Sequence, residues 1–133
     1  MAYIWGFNAQ FAIEFARFKQ DQQDAVIDFT DTFEKHGLSD FSKYPGKITY
    51  SWKGVPPGSS EFIYAKANDL WHYHVGLPTY TQWAKFATSD WVLHFQWPGQ
   101  GDHINLVDLC YHYTSNGQFY MPSAKYLVPK SDE

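Results

Sequence analysis

Leu70-Trp71-His72-Tyr73-His74 places two imidazoles at alternate positions, and on a strand alternate residues share a face. Leu70, His72 and His74 then point one way and Trp71, Tyr73 and Val75 the other, with the imidazoles looking outward and the aromatics inward. Trp91 to Trp97 and Ile104 to Tyr113 repeat the style and add His94 and His112. Imidazole is the side chain whose ordinary pKa lies near neutrality, so a sheet face carrying several can hold an acid-base site or a metal ion. Cutting an RNA phosphodiester needs a group to deprotonate a 2′-OH, a group to protonate the leaving oxygen, and a cation near the phosphate. His72, His74, His94, His112, Tyr111, Tyr113, Tyr120, Lys66 and Lys125 have that chemistry, and all lie downstream of the N-terminal third.

A metal reading competes with this one, because two imidazoles on one strand face can reach one ion, with His94, Asp108 or His112 completing the shell. His-x-His also opens the metal motif of cupin-like barrels. Such barrels expect a carboxylate a few residues on, and Gly76-Leu77-Pro78-Thr79-Tyr80 supplies none. A third reading makes His72 and His74 structural, satisfied by backbone or tyrosine hydroxyls. Glycine-rich nucleotide loops, nucleophile elbows, zinc ribbons and zinc-protease helices have no counterpart here.

The elements that must position these residues are legible from periodicity. Tyr3 to Phe7 reads as a first strand. Phe11, Phe15, Phe18, Gln22, Ala25, Phe29 and Phe33 trace one helical stripe, the face that covers the sheet. The helix ends near Gly37 and breaks between Lys19 and Asp24, where Asp21 is the expected cap of a second helix. Ser39 to Lys47 reads as connection and Ile48 to Trp52 as a strand. Gly54 to Ser60 is a Pro- and Gly-rich loop. Then come Glu61 to Ala65, the His-x-His strand, an irregular stretch from Gly76 to Asp90, and the strands around His94 and Leu106. Pro98-Gly99-Gln100-Gly101 and Asn116-Gly117 are turn signals, with Gln118 to Met121 and Tyr126 to Val128 finishing the sheet. Helices first and strands afterwards predicts an α+β fold, N-terminal helices packed on a twisted antiparallel sheet, in one domain over residues 1–133.

Composition narrows the partners. Aromatics make up 20% of the 133 residues, more than a small core needs, which predicts an aromatic surface for a ligand or partner. The net charge of −4 belongs to the first 40 residues, where seven acids face Arg17, Lys19 and Lys35, and the rest of the chain is balanced. Arg17 is the sole arginine, so unaided nucleic-acid binding is not favoured. Cys110 stands alone in an apolar strand and reads as a small buried hydrophobe in a reducing compartment. His36, before Gly37, and His103, in a turn, read as solvated. With no signal-peptide pattern and no membrane-length apolar run, the expectation is a soluble cytoplasmic protein.

The helical N-terminal third, the His-x-His strand, Thr88-Ser89-Asp90-Trp91-Val92-Leu93-His94 and a strand ending near His112 together resemble YafO-type toxins of the RelE/ParE superfamily of bacterial toxin-antitoxin systems. The resemblance covers Tyr3 to Tyr120 in outline and is sharpest over Leu70 to Gly76 and Ser89 to Phe95. It implies a ribosome-dependent mRNA endoribonuclease (an mRNA interferase) that uses no cofactor and no metal and leaves a 2′,3′-cyclic phosphate. The implied partners are a cognate antitoxin, the ribosome and translated mRNA, with no membrane and no DNA for the toxin alone. It points to His112 as general acid or base, His72 and His74 as phosphate ligands or proton partners, and Lys125 as charge stabiliser. His94, Tyr111, Tyr113, Lys66 and Tyr120 then line the substrate. Two departures stand out: the family's active surface is rich in Arg and Lys, whereas the sheet half here is neutral, and the loop from Gly76 to Asp90 is long. The same superfamily includes toxins that grip a protein target without catalysis, the alternative that surplus aromatics and neutral charge favour.

Overall fold

The computed structural model describes residues 3–53, 55–84, 86–112, 121–122 and 126–127. Strand β1 (Ile4–Phe7) leads into helices α1 (Ala9–Phe15) and α2 (Gln20–His36), followed by β2 (Ile48–Tyr50) and α3 (Ser60–Ala67). The remaining strands are β3 (Leu70–His74), β4 (Thr81–Gln82), β5 (Ala87–Thr88), β6 (Trp91–Gln96) and β7 (His103–Tyr111). The fold is α+β, with a five-stranded sheet ordered β1-β7-β6-β3-β2 and a separate β4-β5 hairpin.

Helix α2 is written in the sequence. Its first turn carries the acid Asp21 and its last turn the base Lys35, charges that complement the helix dipole. The break before it falls at residues 16–19, where Lys19 rather than Asp21 takes the N-cap position. The Gln22 side chain accepts from the Lys19 N–H at 3.0 Å and closes the helix start on Lys19, which leaves Asp21 inside the first turn. At the other end Gly37 adopts φ +63°, and a Cβ there would run into the Tyr3 ring, so glycine ends the helix on two counts. Phe29 and Phe33, fully buried, press on the sheet: Phe29 stacks on Tyr73 with ring centroids 4.8 Å apart and meets Phe95 at 5.4 Å. Each such ring withdrawn from water contributes about 2–3 kcal/mol. Phe11 completes this layer, with Phe15, Phe18 and Ala25 packed at its margin.

Three expectations are corrected. The sheet is mixed, because β1 pairs parallel with β7, Ile4 opposite His103 to Phe7 opposite Leu106, while the other pairings are antiparallel. Only strands joined by a long connection can pair this way, and nearly the whole chain separates these two. Residues 60–67 form a helix, so the strand run is interrupted; Ser59 caps it, its Oγ accepting from the Phe62 N–H at 3.2 Å. Finally, the second face of the sheet is not open. Leu70, Val107 and Ala65 of α3 make a smaller core there, packed by Trp52, Tyr64, Met121, Tyr126 and Leu127.

Candidate functional site

The inward set of β3, Trp71, Tyr73 and Val75, lies in the helix-side core as expected, and His72 and His74 lie on the opposite face. They do not look into solvent: both are buried, and His94 on β6, directly opposite His72 in the register, is buried completely. His112 joins them from β7 through an irregularity. His94 pairs with Asp108 and Phe95 with Leu106, so Val107 is an extra residue in the ladder. Ile104 and Leu106 face the helices before this bulge, and Leu109 does so after it. The bulge thus switches the alternation and puts Asp108, Cys110 and His112 on the histidine face. The N–H of His112 is then fixed by the Asp90 carbonyl at 2.7 Å.

Four imidazoles cluster as a result. Ring centroids of His72 lie 5.7, 5.8 and 5.2 Å from those of His74, His94 and His112, and His74 stacks on His112 at 5.1 Å. One ring nitrogen from each of His72, His74 and His112 lies within 4.8 Å of the other two. The protein orients two of these rings from behind. Ser51 Oγ sits 3.0 Å from His72 Nδ1, and Ser89 brackets His74 Nδ1 with its carbonyl oxygen at 2.9 Å and its N–H at 3.0 Å. With Nδ1 so engaged, Nε2 is the nitrogen through which each can do chemistry.

Burial, reinforced by the neighbouring imidazoles, holds this cluster neutral. It lowers His72 well below the usual histidine range, and pushes His94 down to about 3 and His112 down to about 4, the latter also under the influence of Lys47. His74 is lowered less, because Ser89 partly offsets its burial.

The cluster opens on a cleft of about 630 Å³ lined by His74, His112, Lys47, Ser89, Asp90 and Thr88, with Thr81, Trp83, Phe86 and Tyr111 on its walls. Trp83 (55% exposed), Phe86 (40%) and Tyr111 (57%) leave much of their surface to solvent. Lys47 Nζ lies 4.3 Å over the Phe86 ring. Close approach builds the floor: the His74 N–H bonds the Lys47 carbonyl at 3.0 Å, and a side chain on the adjacent Gly46 would strike the His74 carbonyl. Far from irregular throughout, the stretch after Gly76 contains the β4-β5 hairpin, Thr81 opposite Thr88, which carries Trp83 and Phe86 at its tip.

Of the expected site residues, His74, His112 and Tyr111 line the cleft, and His72 packs against the first two from within the sheet face. His94 belongs to the cluster but lies behind it, fully buried, and does not line the cleft. Lys66 is exposed on α3 with its ammonium over Phe62, likewise not on the cleft. Tyr113, Tyr120 and Lys125, the turn at Asn116-Gly117 and much of the expected closing strands lie outside the described residues. Cys110 sits half-buried on β7, and burial, with Asp108 nearby, pushes its thiol up, away from reactivity. His36 ends α2 and is exposed; His103 opens β7 rather than lying in a turn, its Nε2 2.9 Å from Asn105 Oδ1. Lys47, Ser51, Ser89, Trp83 and Phe86 went unread in the sequence. Trp83 and Phe86 had a signal, two large aromatics inside a stretch with no apolar periodicity, whereas the serines had none.

Comparison with family models, with curated proteins and with solved structures finds no match for this chain. Among the described residues no helix is long and apolar enough to cross a membrane.

Proposed function

We propose that the cleft cleaves RNA by histidine acid-base chemistry, as a ribosome-dependent toxin of the RelE/ParE-like kind does, with translated mRNA as substrate and an antitoxin chain as its cellular partner. The observation that carries this reading is the convergence of His72, His74 and His112, two of which, His74 and His112, line a cleft that also presents Lys47 and three exposed aromatic rings. Aromatic rings of that kind stack unpaired bases, the usual handle on single-stranded RNA, and one lysine suffices for one phosphate when the ribosome holds the rest of the message.

In this scheme His112 takes the 2′-OH proton as O2′ attacks phosphorus. The P–O5′ bond breaks, O5′ takes a proton from His74, and a 2′,3′-cyclic phosphate is left. His74 must arrive protonated. The phosphodiester's own negative charge offsets the burial that otherwise keeps the imidazoles neutral, so the complex takes up one proton that the free protein lacks. His72, steadied by Ser51, shares that charge.

Inducible expression in a bacterium, with primer extension on a translated reporter mRNA, tests the proposal. New 5′ ends with the wild-type chain, absent on untranslated message and reduced at least ~100-fold by His112→Ala, support it. Growth arrest without cuts sinks it in favour of the protein-gripping alternative, for which the exposed aromatics of the same cleft would serve as contact surface.

A further inference from the structure

We propose that His72, His74 and His112 form a site for a divalent transition-metal ion, zinc foremost, and that its occupancy switches off the cleft's chemistry. The second half rests on the acid-base reading above; the first does not.

The geometry is close to what zinc asks for. Tetrahedral coordination with Zn–N near 2.0–2.1 Å places ligand nitrogens about 3.3 Å apart. Three nitrogens no more than 4.8 Å from one another can share a centre about 2.8 Å from each, so a shift of about 0.7 Å per imidazole, within small side-chain rotations, closes the shell. The donor set is three imidazoles with no carboxylate among them, which suits zinc, copper or nickel and discriminates against magnesium and calcium.

What surrounds the ligands matters as much as their spacing. Metal-binding histidines donate their second ring N–H to an oxygen acceptor, which fixes tautomer and ring plane. In the Nδ1–H tautomer His74 donates to the Ser89 carbonyl at 2.9 Å, the Ser89 N–H that otherwise donates to Nδ1 being released, and His72 in the same tautomer has the Ser51 hydroxyl at 3.0 Å, which frees Nε2 of each to coordinate. The backbone is equally fixed: two ligands alternate on β3, an interior strand paired on both sides, and the third is pinned by its bond to Asp90. Three protein nitrogens leave the fourth position to water, and His74 and His112 line the cleft from which that water would come. The same lone pairs are required for acid-base work. An imidazole nitrogen bound to zinc can neither take a 2′-OH proton nor deliver one, so the ion and the reaction exclude each other.

The test uses the full-length chain purified without a histidine tag and stripped with chelator. Cobalt(II) is titrated as the probe and displaced by zinc, and stripped and zinc-loaded protein are then added to mRNA-programmed ribosomes. The expected result is one cobalt per chain with the visible absorption of a tetrahedral site, lost in His112→Ala and weakened ~10–100-fold in Ser51→Ala. Circular dichroism of both variants keeps misfolding separate from ligand loss. Stripped protein should cut the message and zinc-loaded protein should not. No stoichiometric cobalt in a folded wild-type chain overturns the site and leaves the ribonuclease reading standing. Cutting only by the zinc-loaded form overturns the inhibitory role and the metal-free chemistry together. Stoichiometric cobalt with no cutting by either form overturns the inhibitory role and the ribonuclease reading while the site itself stands.

Discussion

Acid should destabilise this protein well above the pH at which carboxylates titrate, and His94 sets the scale. Its imidazole is fully buried on the second face of the sheet, across from His72 on β3 and Asp108 on β7, and takes a proton only near pH 3. In the unfolded chain it does so near 6.5. Its folded pKa is therefore depressed, and because histidine is charged when protonated, between those values the unfolded chain binds the proton that the folded chain refuses. Stability is full above about pH 6.5 and falls as pH drops, by about 1.4 kcal/mol per pH unit for one such group. At pH 5 the loss from His94 is about 2 kcal/mol, and His72, lowered well below the ordinary range by the same burial, acts in the same direction. His112, partly exposed, adds less. The His94 contribution alone, about 2 kcal/mol, is a large share of the 5–15 kcal/mol that holds a typical domain together. The assay is urea unfolding followed by tryptophan fluorescence at pH 7.5, 6.5, 5.5 and 5.0 in chelator, which keeps metal out and stays above the carboxylate range. The midpoint should hold from 7.5 to about 7 and then fall steadily, and His94→Leu should make that slope shallower whatever it does to absolute stability. A midpoint flat to pH 5, or a slope unchanged in His94→Leu, refutes the reasoning.

Trp83→Ala should cut cleavage of translated message ~10–100-fold, the worth of one stacked base, and leave the melting temperature unchanged because the ring is more than half exposed. Equal loss of activity and of thermal stability would mean the ring is structural. Gly46→Ala should lower stability by about 1–3 kcal/mol, since its Cβ meets the His74 carbonyl and backbone cannot swing aside as a side chain can; a melting curve like that of wild type contradicts the close approach.

How much of this was legible in the sequence depended on which residues carry period. The stripe from Phe11 to Phe33 specified its buried face because its spacing keeps to the 3.6-residue repeat within α1 and α2, on either side of the break that holds Phe18, and Trp71, Tyr73 and Val75 did so for β3 at period two. Capping resisted, since the choice between Lys19 and Asp21 turns on where Gln22 reaches back. The error about the histidine face had a different source. Alternation says which residues share a face and nothing of what lies over it, and here α3 with Met121, Tyr126 and Leu127 lies there. Burial then changed the chemistry, from imidazoles poised near neutrality to imidazoles held neutral. The serines behind His72 and His74 come from 21 and 15 residues away along the chain, a relation no local pattern expresses.

The hardest step to read was β7. Strict alternation from Ile104 and Leu106, both on the helix side, carries Asp108, Cys110 and His112 to that same side and away from His72 and His74. The site exists because Val107 is surplus in the ladder. One deletion tests this. Removing Val107 leaves Leu106 opposite Phe95 and Asp108 opposite His94 as they are now, so the strand becomes regular and His112 keeps its face and its register. Ordinarily a one-residue deletion inside a buried central strand reverses every side chain beyond it. Here it should spare cobalt binding and message cleavage to within about tenfold. It should also cost stability, about 1–3 kcal/mol, for the lost packing of a fully buried valine against Ala65 and Leu70. A variant that folds, by circular dichroism and a cooperative melt, yet neither binds cobalt nor cuts RNA would show that the bulge does more than switch the alternation, and that His112 owes its position to the local twist it imposes.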